Sequence, residues 1–96
     1  MIIPKSVHIG PFRVPVKRSS DALAGIVEDD ATLYFGLSEQ SLDGGQIVLR
    51  EGMGADREGE TFMHELLEQI VANYGLEMNH VQISVISMAL YHALKD

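Results

Sequence analysis

The stretch "TFMHELLEQIVANYG", Thr61 to Gly75, decides the fold. Phe62, Leu66, Ile70 and Tyr74 recur every four residues, with Met63, Leu67 and Val71 beside them. That spacing puts them on one face of an α-helix, and the width of the stripe predicts a packed helix, not an exposed one. Gly75 is a natural stop, because glycine accepts the left-handed backbone that ends many helices. The start is expected near Asp56, read as the N-cap, with Glu58 and Glu60 suiting the positive end of the helix dipole.

Working outward, a second helix follows after "GLEMN". Asn79 can cap it while Gln82 reaches back as the third helical residue, and Met78 with Ile83 can form the accompanying apolar contact. His80 then occupies the first helical position, and the helix runs to about Leu94. Its expected buried stripe is Val81, Val85, Met88 and Tyr91, widened by Ile86, Ala89 and Leu90. The two helices should form a hairpin packed on a sheet.

Upstream of Asp56 the pattern changes to short β-branched and aromatic runs broken by Gly, Pro and Asp-Gly signals. "FRVPVKR" alternates Phe12, Val14 and Val16 on one face, with Pro15 suggesting an edge strand and Gly10-Pro11 a turn before it. "LYFGLSEQ" and "QIVLRE" flank "SLDGG", whose Asp43-Gly44 pair signals a tight antiparallel connection. Ser19 to Ala31 shows no period and reads as a loop. The expected class is therefore α+β: a small antiparallel sheet of about three strands, followed by two packed helices. The boundary lies between a mainly β part, 1–55, and a helical part, 56–96, of one domain.

Composition bounds the function. A chain of 96 residues with 46% hydrophobic content makes one small core,. Its net charge of -7, from 14 acids and 7 scattered bases, opposes nucleic-acid binding, which needs clustered Lys and Arg. With no cysteine, thiolate metal sites and disulfides are excluded, so any metal must rest on His, Asp and Glu. The segment Val81 to Leu94 is too short to cross a bilayer's roughly 30 Å hydrocarbon core, so no membrane association is expected. An N-terminus "MIIPKSVHIG" without a signal-peptide pattern predicts a cytoplasmic chain. The oligomeric state is not readable.

One constellation can carry chemistry. His64 and Glu68 are a helical turn apart and can hold one ion between them. Glu65 is rotated by roughly 100° from His64, where a carboxylate can face water beside the ion without binding it. This is the division of labour of the H-E-x-x-H zinc motif, two ligands and one base, with Glu68 in place of the second histidine. His80 is the best third ligand, because the Gly75 turn brings the start of the second helix back beside the first; Glu77 and Asp96 are weaker choices. Zinc accepts two imidazoles and a carboxylate, and the same set suits Fe(II). Water acidified by the ion, with Glu65 as general base, would hydrolyse a peptide bond.

"TFMHELLEQI", the Gly-Leu turn and the helix ending "ALYHALKD" resemble the C-terminal half of minimal zincin-type metallopeptidase-like proteins of phages and prophages. The likeness covers about the last forty residues, and the "YFGLSEQ" and "QIVLRE" strands more loosely. It implies a zincin-like fold, zinc as cofactor, a peptide or protein substrate, and residence in the cytoplasm of a bacterial host. His64 and Glu65 match the motif; Glu68 departs from it.

Each of these residues also has an ordinary structural reading. His64 can be a histidine hydrogen-bonded at a sheet-helix junction, Glu65 and Glu68 a solvated acidic face, and His80 a helix-start residue beside its cap. His8 and His92 read as surface residues, Tyr91 as core, Met53, Met63, Met78 and Met88 as packing, and Glu28 to Asp30 as solvated loop. The alternative function is a non-catalytic interaction protein that keeps the fold and uses its acidic surface and an open strand edge.

Overall fold

A computed structural model describes residues 2–19, 36–39 and 45–95. The elements in chain order are β1 (Ser6–Ile9), β2 (Phe12–Arg18), β3 (Gly36–Glu39), β4 (Gln46–Leu49), α1 (Ala55–Tyr74) and α2 (His80–Leu94). The class is α+β: a sheet, then two packed helices. The loop expected over Ser19 to Ala31 and the Asp43-Gly44 connection fall, except for Ser19, outside the described residues.

The three expected strands are present as β2, β3 and β4, and β1 adds a fourth, in the order β1-β2-β4-β3. β1 folds back on β2 through a turn at Gly10 (φ 57) and Pro11, pairing Ile9 with Phe12 and Ser6 with Pro15. β3 and β4 are antiparallel, as the sequence suggested. The sheet as a whole is mixed, however, because β2 and β4 run parallel from Val16↔Ile47 to Arg18↔Leu49. β3 enters at the far edge, so the hairpin it makes with β4 leaves β4 pointing the same way as β2. This corrects the purely antiparallel expectation.

Pro15 does not mark an edge. Val16 donates its N–H to Lys5 O on the β1 side at 2.9 Å, and successive N–H groups point to opposite edges. Pro15's missing donor therefore faces the β4 side, where pairing begins only one residue later. A central strand tolerates proline at such a place because no ladder bond is lost. β4, flanked on both sides, buries Ile47, Val48 and Leu49 completely or nearly so, as a central strand does.

α1 lies on β4, β3 and β1, and α2 packs chiefly on α1. The core gathers Ile9, Val14, Ile47, Leu49, Phe62, Met63 and Tyr91, with Leu66 and Ile70 against it. Full burial of an aliphatic or aromatic side chain contributes roughly 1.5–3 kcal/mol, so these few residues carry the fold. Gln69, fully buried, adds a specific tie: its Nε2 donates to Gln46 O at 3.3 Å and Asn73 Nδ2 donates to its Oε1 at 3.2 Å.

The N-cap of α1 lies two residues earlier than expected. Gly54 is the N-cap and makes no side-chain cap bond. Asp56 lies inside the first turn, where it accepts a hydrogen bond from Tyr91 Oη at 2.7 Å. That bond, with the Lys95 charge, holds its carboxyl below the usual range. Glu58 is lowered too, by a two-pronged contact from Arg18 at 2.8 and 3.0 Å that ties β2 to the same turn. The C-terminal stop is as read: Gly75 has φ 67 and ψ 31, and Leu76 N–H returns to Val71 O at 3.0 Å.

The start of α2 is as read, with Asn79 Oδ1 accepting from Gln82 N at 2.8 Å and Gln82 Oε1 from Asn79 N at 2.9 Å. Of its expected buried stripe only Tyr91 is buried. Ile83, Ser87 and Tyr91 point inward, while Val81 (68%), Val85 (61%), Ile86, Met88 (49%), Leu90 and Leu94 are exposed. The physical reason lies in the layering: α2 covers α1 and not the sheet, so only a narrow stripe is buried. Ser87 fits there because its hydroxyl donates to Ser84 O at 3.1 Å. Met88 is accordingly not a packing residue.

Candidate metal centre

The centre is built by two helix faces that the Gly75 turn folds together. His64 and Glu68 share a face of α1 by their four-residue spacing, and His64 Nε2 stands 3.3 Å from Glu68 Oε1. The capping box on Asn79 begins α2 at His80 and aims that first residue back at α1. The His64 and His80 rings meet edge to face, with centroids 5.2 Å apart. One ligand atom from each of His64, Glu68 and His80 lies within 4.8 Å of the others.

The donor set fits a divalent ion. Ligand arms of about 2.0–2.2 Å in a tetrahedron place donor atoms roughly 3.3–3.6 Å apart. The His64–Glu68 pair stands at that separation, and the His80 donor lies within 4.8 Å of both. Two imidazoles and one carboxylate also make a neutral-plus-anionic set suited to zinc. His64 and Glu68 are partly buried and His80 is exposed, so the centre is walled on one side and open on the other.

Glu65 lies beside this centre and is buried, with 7% of its surface exposed. Burial first, then the negative charge of Glu68 and a hydrogen bond with it, push the Glu65 carboxyl up to about 8. Its contact with Glu68 puts the carboxyl on the side of the donor cluster. Burial and the adjacent Glu68 charge thus favour the protonated form of Glu65,.

The other sequence candidates lie elsewhere. Glu77 is exposed and outside the cluster, and Asp96 is outside the described residues. His8 is exposed on β1. His92 Nε2 pairs with Glu60 Oε2 at 3.0 Å. Tyr91 is core, 3% exposed, with its hydroxyl held by Asp56. One neighbour escaped the sequence reading: Ser84 Oγ stands 3.4 Å from His80 Nε2. A hydroxyl one turn along can orient a ligating imidazole through its second nitrogen, and the i, i+4 spacing from His80 was its signal.

No protein-family model, no curated protein and no solved structure matches the chain.

Proposed function

We propose that the chain is a metal-dependent hydrolase of the peptidase type, in which His64, Glu68 and His80 hold one divalent ion, zinc first, and Glu65 moves the proton. The convergence of three donor groups within 4.8 Å carries this reading, because two of them come from α1 and the third from a different helix. The resemblance of "TFMHELLEQI" to phage and prophage zincin-type proteins supports it, and a two-His, one-carboxylate set also admits Fe(II).

A bound divalent ion supplies Lewis-acid polarisation of a carbonyl and acidifies water. The chain's own groups do the rest. A positive charge held beside Glu68 would offset part of what keeps Glu65 protonated, burial first and the Glu68 charge second, and so would favour the Glu65 carboxylate,. It accepts one proton from the attacking water as oxygen bonds to the carbonyl carbon. It then returns that proton to the departing amine nitrogen as the C–N bond breaks. Ser84 holds the His80 ring in orientation throughout.

Elemental analysis of purified protein, paired with hydrolysis of a mixed fluorogenic peptide pool, tests the proposal. The expected result is one metal per chain and cleavage, with Glu65→Gln keeping the metal and losing cleavage. Metal without cleavage in the wild type would contradict the hydrolase assignment. It would favour the second reading, a non-catalytic interaction protein with this fold, which the apolar outer face of α2 supports.

A further inference from the structure

From Met78 to Leu94 the chain carries no Asp, Glu, Lys or Arg, although its other segments hold 14 acids and 7 bases. This uncharged run is α2 with its lead-in. At 100° per residue Val81, Val85 and Met88 share its outward side, 49 to 68% exposed, while Ile86, Leu90 and Leu94, 40 to 59% exposed, lie at the other margin of the buried stripe,. Contiguous apolar surface above a few hundred Å² is uncommon on a monomer and marks a contact surface. We propose that α2 docks on α2 of a second copy of this chain, antiparallel, across a two-fold axis between Ile86 and Ser87.

Charge selects the occupant. Two bodies of charge -7 repel each other least through a surface that carries few charges, and α2 has no Asp, Glu, Lys or Arg of its own, the neighbouring Glu60 carboxylate of α1 being held by His92 at 3.0 Å. A basic partner would be drawn to the acidic residues and away from this neutral strip. A lipid surface is disfavoured for the same reason. Helices that lie on membranes carry Lys and Arg along the polar face, to match anionic headgroups, and α2 has none.

Spacing selects the geometry. Val81, Val85, Met88 and His92 follow one another at intervals of four, three and four, the seam of paired helices. All four are exposed. About the proposed axis the seam matches itself: Val85 meets Met88 of the second copy, and Val81 meets its His92. Ala89 and Ala93 flank the seam and let the backbones approach. An antiparallel pair also sets opposed helix dipoles side by side. It brings exposed Glu77 of one copy towards the end of α2 where Lys95 stands, 3.8 Å from its own Asp56.

Sedimentation equilibrium on the full, metal-free chain tests the proposal. The wild type is expected at twice its 10.6 kDa mass. Val85→Glu alone and Met88→Lys alone are each expected at the single-chain mass, and an equal mixture of the two regains the dimer, since position 85 faces position 88 across the axis. Because the native chain has no cysteine, a second pair gives an independent readout. Mixed Val85→Cys and Met88→Cys chains should form a disulfide heterodimer under mild oxidation, well above either variant alone. A wild type that stays monomeric overturns the proposal, including the case where Val85→Glu only lowers its melting temperature because the chain's own residues cover the face. A dimer indifferent to both charged variants, or one without the 85–88 crosslink, overturns it as well.

Discussion

Gly59 and Tyr91 touch so closely that a β-carbon at position 59 would lie 2.0 Å from the tyrosine ring. The contact sets how near α2 lies to α1, and the Tyr91 hydroxyl, held by Asp56, fixes the two helices lengthwise. The convergence of His64 with His80 at the other end of the hairpin depends on that alignment.

Gly59→Ala should therefore destabilise the fold by at least the roughly 1–3 kcal/mol typical of overpacking, although alanine is the better helix former by about 1 kcal/mol. Urea unfolding of the metal-free protein checks the sign. A stabilised variant would mean that the helices separate freely and that the Tyr91 contact does not set their spacing.

Gly75→Ala tests a different cost. No atom lies within 4 Å of the added methyl, yet the backbone is left-handed at φ 67. The loss should be about 1–2 kcal/mol of conformational strain, with helix content by circular dichroism unchanged. Unlike Gly59→Ala, it should not be relieved by shrinking Tyr91.

Tyr74→Phe should cost about 0.5–1.5 kcal/mol. Its hydroxyl accepts the Gly10 N–H at 2.8 Å, the one bond that ties the β1-β2 turn to the end of α1 among the described side-chain contacts. Amide exchange should quicken at Gly10 and leave α2 unaffected.

Glu65 makes stability depend on pH in the metal-free protein. Its carboxyl titrates near 8 when folded against an ordinary value of 4.5. The folded state therefore holds the extra proton between those limits. The Glu65 contribution to stability is full below about pH 4.5 and is lost as pH rises towards 8, by up to about 1.4 kcal/mol per unit, whereas the contributions of the lowered Asp56 and Glu58 carboxyls are lost in acid,. Glu65→Gln, neutral throughout, should flatten this slope and exceed the wild type in stability at pH 8 while matching it near pH 4.5. Denaturation midpoints across that range in chelator decide it; parallel slopes would place Glu65 in contact with water.

The parts of this fold legible in the sequence are those set by local chemistry. Asn79 with Gln82, Gly75, and the four-residue spacing of His64 and Glu68 specify their own geometry, and the helix hairpin follows from them. His80 was foreseeable because a short turn after α1 leaves the next helix little choice of direction. The illegible parts depend on which surface receives each face. Val81, Val85 and Met88 have core-like spacing, yet the layering turns inward the stripe of Ile83, Ser87 and Tyr91, whose serine satisfies itself on Ser84 O. The parallel pairing of β2 with β4 depends on the entry of β3 at the far edge, which no residue in either strand encodes. Gly59 likewise gives no sign in the sequence that the Tyr91 ring sits against it.

The central claim is that three side chains from two helices share one ion, and titration calorimetry of the metal-free protein with zinc tests it most directly. The account predicts a single site per chain in the wild type, lost in His64→Ala and weakened at least tenfold in His80→Ala, with circular dichroism unchanged. Absence of binding, or a His80→Ala variant that takes up zinc as tightly as the wild type, would contradict it.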